Sequence, residues 1–292
     1  MGVTWAITRR NLTLFFRDPQ NVFFSLLSAL VAFVLYTLFL GNLMASQVAQ
    51  AIPGAADSEV RGFIDAWMFA GIVSLSTLST TLGAFSSFVE DASSGRFRDF
   101  LVSPIRRGQL VLGYMLAAFI VGVIITLIVF AVALIYLWLT SGVVLGIVEI
   151  LRSIGWILLS TAGFTGLWAL VVSFLRSTSA FSAVATIVGT VAGFVAGAYI
   201  AIGLFPSVVQ SVVAALPFAQ SAMLLRREFA AGPLSDLVGG NTAVIEQLEA
   251  FYGLSLHVGD WSVPVWFAAG VLAVMAVVFT ALAAGRIRSR IV

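Results

Sequence analysis

Few side chains in this sequence are suited to chemistry. Its 292 residues include one histidine, His257, and neither cysteine nor lysine, so we expect no thiolate chemistry and no metal site. A P-loop needs a lysine that reaches the terminal phosphates of ATP after a glycine-rich turn. A chain without lysine is therefore not expected to hydrolyse ATP, and we expect no catalytic residue and no cofactor bound by this chain.

The acidic residues do not form a catalytic group either. Asp236, Glu246, Glu249 and Asp260 are scattered over one polar stretch with no clustered histidine, which is typical of a solvated surface. A membrane-embedded enzyme would need a paired acid or a histidine inside an apolar segment, and the long apolar segments contain none. The same lack of ionisable groups disfavours a proton-driven carrier. An enzyme or a scaffold is the least favoured hypothesis.

Long uncharged stretches dominate the chain. Hydrophobic residues make up 61% of it and charged residues 10%, and about 20 apolar helical residues cross a bilayer. The sequence therefore predicts an all-α integral membrane protein, a single transmembrane domain over residues 1–292. Six spans are predicted: 22–43, 66–89, 111–139, 153–175, 178–204 and 261–285. Because Pro206 and Pro217 interrupt the uncharged stretch after the fifth span, residues 205–260 are predicted as an external re-entrant segment and loop, in preference to a seventh crossing.

The arginines predict the orientation in the membrane. Six spans place both termini on one side, and eleven of the fifteen arginines then fall on that side. By the positive-inside rule this side is cytoplasmic, so we expect a multi-pass plasma membrane protein with both termini in the cytoplasm. Four arginines are predicted on the outer side: Arg61, Arg152, Arg226 and Arg227. The net charge of +2 does not indicate a nucleic-acid partner.

Two cytoplasmic segments are amphipathic. In residues 1–21, Trp5, Leu12 and Phe16 recur at helical spacing, which predicts an interfacial helix, although a simple charged flank would also fix the topology. The region 90–107 is predicted to hold a short helix that begins after Gly95 and ends at Pro104. Such a helix can dock apolar face first into a groove of a soluble partner. An interfacial loop that only orients the protein accounts for the pattern equally well.

Two spans carry small or hydroxyl-bearing residues at regular spacing. In the fifth span small residues recur at every fourth position, including Gly189, Gly193 and Gly197, which predicts close helix packing. The second span is rich in serine and threonine. These hydroxyls either line a polar path or bond back to carbonyls of their own helix, and the sequence does not distinguish the two.

Three motifs, in order along the chain, resemble those of a known family. The segment 95–104, GRFRDFLVSP, is similar to the Gly-Thr-Leu-Glu-x-Leu-Leu-x-Thr-Pro stretch of type-2 ABC exporter permeases, the class that includes daunorubicin-resistance permeases. Arg17-Asp18-Pro19 resembles the motif before their first span. Pro217 with Leu225-Arg226 resembles the elements before their last span. Arg96 and Arg98 depart from the family pattern, which has threonine and glutamate there.

The resemblance implies a permease subunit of an ABC exporter, with an N-terminal interfacial helix, a cytoplasmic coupling helix and re-entrant helices before the last span. The substrate would be a hydrophobic or amphipathic drug, peptide or lipid moved outward, as in multidrug efflux. A lipid-linked glycan is the alternative within the same family. The implied partners are separate cytoplasmic ATPase subunits that hold ATP and Mg, a second permease copy in a homodimer or heterodimer, and membrane lipid. The implied location is the inner membrane of a bacterial cell.

The resemblance also assigns site residues. Residues expected to couple to the ATPase are Gly95, Arg96, Phe97, Asp99, Phe100, Leu101 and Pro104, with Phe97, Phe100 and Leu101 as the docking face. Because spans two and five flank the path in this family, residues expected along the translocation path are Ser74, Thr77, Thr81, Gly189, Gly193 and Gly197.

Overall fold

The computed structural model describes residues 2–97 and 105–290, which are almost entirely helical. The helices are α1 Val3–Arg17, α2 Pro19–Leu35, α3 Gly41–Ala51, α4 Asp57–Ala84, α5 Ser86–Ser93, α6 Arg107–Tyr136, α7 Ile147–Val172, α8 Thr178–Val195, α9 Ser207–Ala215, α10 Pro217–Leu237, α11 Thr242–Tyr252 and α12 Val265–Arg290. Tyr36–Leu40 and Leu137–Ser141 are π-helical, and Ile202–Leu204 is a 3-10 turn. Strands β1 His257–Val258 and β2 Trp261–Ser262 form a small antiparallel hairpin.

The predicted fold class is confirmed. Six of the described helical segments are long and apolar enough to cross a membrane. Helices α9 and α10 form a further apolar pair that is bent by 85° between Ala215 and Pro217. A bend of this size fits either a broken span or a re-entrant loop.

The first span begins and ends differently from the prediction. Helix α1 ends at Arg17, and α2 begins at Pro19, because the Asp18 side chain accepts hydrogen bonds from the backbone N–H groups of Gln20 and Asn21. Helix then continues through the π-helical segment to Ala51 rather than ending at residue 43. The polar residues after the apolar stretch leave the helix intact, since polarity alone does not terminate a helix.

The second span is also longer at its start. Helix α4 begins at Asp57, nine residues before the predicted start at 66. Asp57 and Glu59 lie in its first turn, where their negative charges are favoured by the helix dipole. At Phe85 the chain bends into α5, which carries the helix on to Ser93.

The fifth span ends earlier than predicted, and the cause is a glycine rather than a proline. Helix α8 ends at Val195, whereas the prediction continued it to residue 204. Gly197 adopts a φ of +66°, a backbone conformation that ends many helices. The N–H groups of Ala198 and Tyr199 both bond to the carbonyl of Gly193, which closes this end of the helix.

The other spans differ mainly at their ends. Helix α6 with its π-helical extension covers 107–141, where 111–139 was predicted, and α7 covers 147–172, where 153–175 was predicted. Helix α12 begins at Val265 rather than at Trp261, because Trp261 lies in β2 and Pro264 separates the hairpin from the helix.

Helix α4 is the centre of the subunit. It packs against α10, α6, α2 and α7, and Phe63, Trp67 and Met68 in it are almost completely buried. In the most apolar stretch of the α4–α5 segment, 83% of the residues are buried inside the subunit. The corresponding share for α8 is 11%. Helix α8 therefore lies at the edge of the bundle, where most of its surface faces lipid or another subunit.

The two π-helical segments meet at one carboxylate. The Tyr36 hydroxyl donates to Oδ1 of Asp65 over 2.7 Å, and the Ser141 hydroxyl donates to Oδ2 of the same residue. Tyr36 opens the first π-helical segment and Ser141 closes the second. Asp65 thus fastens the first and third spans to α4 near its N-terminal end.

Helix α1 is held against α6 at a glycine. The methyl-bearing side chain of Ile7 lies on Gly113, and the Thr8 hydroxyl donates to the Gly113 carbonyl over 3.2 Å. Thr8 is completely buried by this contact. The absence of a side chain at residue 113 lets the two helices approach closely.

This contact predicts the effect of a substitution at Gly113. A Cβ there would lie 2.6 Å from Cγ2 of Ile7, so Gly113→Val should displace α1 and make its backbone at Arg9 and Arg10 more accessible to trypsin. We expect cleavage after these arginines to accelerate severalfold in detergent-solubilised protein. Gly155→Val is the matched control, because a Cβ at Gly155 has no atom within 4 Å. Equal cleavage rates in the two variants would contradict the packing of α1 on Gly113.

Candidate functional site

A groove of about 910 Å³ lies between the first, second and fifth spans. One side is formed by α2 and the π-helical segment after it, and the opposite side by α8 and the turn that follows. The ends of α4 and α5 form its base through residues such as Ser79, Leu82 and Ser86. The volume is in the range of small-molecule binding sites.

The groove is uncharged. Aromatic and aliphatic side chains cover most of its lining, for example Phe24 and Val31 on α2 and Phe181 and Phe194 on α8. The polar groups in the lining are hydroxyls and the Asn21 amide, and none of the acidic or basic side chains that the structure describes contributes.

The hydroxyls of α8 are partly satisfied by their own helix. Thr186 donates to the Ser182 carbonyl and Thr190 to the Thr186 carbonyl, each over 2.9 Å. Their oxygens keep capacity to accept a hydrogen bond from a ligand. The groove therefore combines an apolar lining with a few weak polar contacts.

The structure places the three predicted path hydroxyls away from this groove. Ser74 is buried and its Oγ lies 3.3 Å from Oγ of Ser221 in α10. The hydroxyls of Thr77 and Thr81 bond to carbonyls one turn earlier in α4. All three side chains face the interior of the subunit, so the hydroxyls bond back to protein rather than line the groove.

The three predicted path glycines have separate surroundings. Gly189 lines the groove, and a Cβ there would have no atom within 4 Å. At Gly193 a Cβ would overlap the ring of Tyr199, so this glycine makes room for Tyr199. Gly197 lies beside the guanidinium of Arg226, outside the groove.

The coupling segment is described only in part. Gly95 has a φ of +77°, which only glycine adopts readily, and the exposed Arg96 follows it. Phe97 was predicted on the docking face, but it packs inward, with its ring 5.3 Å from that of Phe88 and 6.0 Å from that of Tyr114. The phenyl ring anchors the start of the segment because it joins this aromatic cluster. Asp99, Phe100, Leu101 and Pro104 lie outside the described residues.

A buried carboxylate joins the coupling segment to α1. Asp91 in α5 is 1% exposed and accepts hydrogen bonds from three side chains. Arg10 Nη1 lies 2.7 Å from its Oδ2, Arg96 Nη1 lies 3.0 Å from its Oδ1, and the Tyr114 hydroxyl donates to Oδ2 over 2.5 Å. These residues come from α1, the coupling segment and α6. We call these four residues the Asp91 cluster.

In the Asp91 cluster, electrostatic interactions favour the charged forms of Arg10 and Asp91. The hydrogen bond to Asp91 raises the pKa of the Arg10 guanidinium above its usual value, although partial burial acts in the opposite direction. The ion pair is bidentate, because Nη2 of Arg10 also donates to Oδ1. The three segments are therefore fastened by a charge pair that stays ionised at physiological pH.

Asp91, Arg10 and Tyr114 were not predicted as site residues from the sequence. One signal was available, since Asp91 directly follows the apolar stretch of the second span and lies five residues before Arg96. Its partner Arg10 is 81 residues away in sequence. Residue spacing along one helix gives no information about a contact over that separation. Arg226 was expected on the outer side of the membrane, and nothing in the sequence indicated that its side chain is completely buried in α10.

The described residues contain no group of three or more histidine or acidic side chains placed to hold a metal ion. Among the described residues the main features are the groove and the ion pairs of the buried Asp91 in the Asp91 cluster.

Comparison with known families identifies the chain. Residues 2–227 match the family described as ABC-2 type transporter. The chain belongs to the ABC-2 type transporter family. It is a transmembrane subunit of an ABC transporter, the ATPase activity lies on another subunit, and the family associates with an ATP-binding subunit. A comparison with curated proteins found no match.

The match to the ABC-2 type transporter family covers the groove and the Asp91 cluster. It extends from α1 into α10 and includes Leu225 and Arg226. This confirms the resemblance on which the sequence analysis relied. The chain is therefore a multi-pass membrane permease subunit.

The Asp91 cluster predicts how a single substitution changes stability. Asp91→Ala removes a buried carboxylate that accepts hydrogen bonds from three side chains and should destabilise the protein by about 1–3 kcal/mol. We expect a lower melting temperature in detergent, measured by size-exclusion chromatography after heating. Glu90→Ala is the matched control, since the neighbouring Glu90 is exposed. Equal melting temperatures for the two variants would show that the cluster does not hold these segments together.

Proposed function

We propose that this permease subunit forms half of an exporter that moves hydrophobic or amphipathic molecules, such as drugs, peptides or lipids, out of the cytoplasm. The single observation that carries the proposal is the uncharged groove of about 910 Å³ between α2 and α8. The outward direction comes from the resemblance to type-2 ABC exporters.

The lining of the groove supports this substrate class. A free ion or a sugar phosphate would lose its hydration there without gaining a charged partner, which is costly. An apolar body gains from burial against side chains such as Phe24, Phe39 and Phe181. Ser79, Ser86 and Ser182 can hydrogen-bond a polar headgroup. A molecule with one large apolar part and one small polar part fits this combination best.

A second permease copy would complete the pathway. Large apolar side chains beside the groove are exposed in the single subunit, including Phe24 at 63%, Phe39 at 67% and Ile187 at 62%. Lipid covers such side chains in a membrane, but a translocation path also has to exclude lipid from its centre. A homodimer or heterodimer in which two grooves face each other would meet both needs.

Power for transport would come from ATP and Mg bound by separate cytoplasmic ATPase subunits. The coupling segment would bind the ATPase, with Phe100 and Leu101 as the predicted docking residues. The Asp91 cluster supports this role, because it ties the start of that segment to both α1 and α6. A push on the segment would then move three helices together.

The proposed placement is the bacterial plasma membrane with both termini in the cytoplasm. The arginine distribution supports this orientation. The Arg286 guanidinium of α12 lies 3.8 Å from the ring centroid of Phe174, just after α7. This contact brings the C-terminal arginines to the same end of the bundle as the cytoplasmic end of α7.

The proposal predicts that filling the groove blocks transport. Gly189→Trp adds a large side chain at a lining position where a Cβ meets nothing, so we expect ATP-dependent transport to fall by about tenfold or more. The measurement uses the permease copurified with its ATPase subunit and reconstituted into vesicles. Three probes are compared: a fluorescent phospholipid, a cationic amphipathic dye and a lipid-linked glycan.

The control is Gly155→Trp, which lies in α7 at a position with equally open surroundings and outside the groove. This variant should transport at the wild-type rate. Transport of the phospholipid or the dye by wild type, lost only in Gly189→Trp, would support the proposal. Transport of the glycan alone would favour the alternative substrate, and equal rates in both variants would exclude the groove as the path.

A further inference from the structure

Arg226 is the most unusual charged residue among those described. It lies in α10, the helix after the 85° bend, and its side chain is completely buried. None of the ion pairs found among residues 2–97 and 105–290 includes it. A buried cation without a carboxylate is costly and requires another source of negative charge.

Backbone carbonyls supply that charge. Nη2 of Arg226 donates to the carbonyl of Ala196 over 3.0 Å and to the carbonyl of Gly197 over 2.6 Å. Both carbonyls belong to the turn that ends α8. The end of a helix carries a partial negative charge from its unpaired carbonyls, and this charge favours a cation.

A second helix ends at the same guanidinium. Helix α11 ends at Tyr252, and Gly253 follows with a φ of +71°. A Cβ at Gly253 would lie 3.0 Å from Nη1 of Arg226, and a Cβ at Gly197 would lie 3.2 Å from it. Only glycine leaves room for the guanidinium at these two positions. The ends of α8 and α11 therefore converge on one buried cation.

Helix α4 also contacts the Arg226 guanidinium, through the ring of Trp67. The Trp67 ring centroid lies 5.1 Å from Cζ of Arg226, a distance typical of a cation–π contact. The Trp67 indole N–H donates to the Tyr252 carbonyl over 2.7 Å, which joins α4 to the end of α11. Arg226 thus connects α10 to three other helices through contacts that depend on one another.

Some of the buried nitrogen atoms of Arg226 lack a hydrogen bond within the part of the chain that the structure describes. Nε and Nη1 of Arg226 have no hydrogen-bond partner among the described residues. Unpaired buried donors reduce the free energy gained by closing the site, because each would bond to water if exposed. The closed arrangement therefore has less advantage over an opened one than a fully paired site would have.

The site lies directly behind one end of the groove. Phe194, Tyr199 and Ile200 line that end, and the Ala196–Gly197 turn that accepts from Arg226 lies between them in the chain. Ala198, in the same turn, packs on Gly71 of α4 and is 5% exposed. Separation of this turn from Arg226 would displace the groove lining and expose Ala198.

We propose that Arg226 is a latch that closes the outer end of the groove by holding the end of α8 against α4, α10 and α11. This inference rests on the proposed function, in which the groove is the substrate path. During transport the Ala196–Gly197 turn separates from Arg226, the groove opens at this end, and the guanidinium gains water on Nε and Nη1. Arg226 acts by positioning α8 and needs no contact with the substrate.

The natural absence of cysteine makes the latch directly testable. Ala198→Cys introduces the single thiol of the chain at a position that is protected only while the latch is closed. We expect slow labelling by a water-soluble maleimide in nanodiscs without nucleotide. Adding Arg226→Met should accelerate labelling by about tenfold or more, equivalent to about 1.4 kcal/mol. Adding Arg226→Lys should give an intermediate rate, because an ammonium keeps the charge but lacks the planar fork.

Arg227→Met is the matched control, since Arg227 is the exposed neighbour of Arg226 and should leave the labelling rate unchanged. Ala243→Cys, at an exposed position of the polar segment that follows α10, should label rapidly in every background. If size-exclusion chromatography shows that Arg226→Met does not fold, the labelling rate in the Arg226→Lys background tests the latch in its place. Labelling of Ala198→Cys at the wild-type rate in the folded Arg226 variants would overturn the latch.

A second comparison separates the latch from the proposed function. With the ATPase subunit and Mg-ATP, labelling of Ala198→Cys should rise above the nucleotide-free rate if the latch opens during turnover. An Arg226 that only stabilises the fold would leave this rate unchanged by nucleotide, and that result would overturn the inference. Failure of the proposed function would instead appear as a loss of ATP-dependent transport, with the nucleotide-free effect of Arg226→Met still present.

Discussion

Charges buried away from water must be compensated inside the protein, and this constraint determines how the helices of the subunit are joined. The compensation takes two forms at two places along the central second span. Asp91, just beyond α4 in α5, is neutralised by Arg10 and Arg96. Near the other end of α4, Arg226 lies over Trp67 and bonds to carbonyls at the end of α8. Each charge joins segments that are far apart in sequence.

The groove follows from the same constraint. Helices α4, α6, α7 and α10 pack around the polar contacts, whereas α2 and α8 expose long apolar surfaces and enclose a lining without charge. The turn at the end of α8 is bonded to Arg226, and most of the helix before it is exposed. The subunit therefore consists of a firmly joined centre and a peripheral helix that can move relative to it. In the proposed exporter, the centre would move as one unit when the ATPase acts on the Asp91 cluster, and α8 would shift relative to it.

The sequence predicted where the helices lie along the chain better than it predicted which of their side chains are buried. Spans are recognised because an uncharged stretch of sufficient length has few alternatives in a membrane protein, and the described part of the chain contains six such helices. Lipid and protein interior are both apolar, so hydrophobic periodicity does not show which face of a span is buried. The family resemblance placed Ser74 and Thr77 along the path, and periodicity gave no sign that their side chains face the interior. Nor did it indicate that Arg226, expected on the outer side of the membrane, is buried. The end of α8 depended on the conformation of Gly197, which composition does not reveal.

The central claim is that the groove changes shape with the nucleotide state while the centre of the subunit does not. Spin labels at Val34→Cys in α2 and Val191→Cys in α8, both exposed positions, would report the distance across the groove by double electron–electron resonance. A second pair at Leu151→Cys in α7 and Val277→Cys in α12 reports two helices that pack closely on each other. With the ATPase subunit present, trapping Mg-ATP should shift the α2–α8 distance distribution and leave the α7–α12 distribution unchanged. An unchanged α2–α8 distribution in an ATPase-active complex would contradict the account.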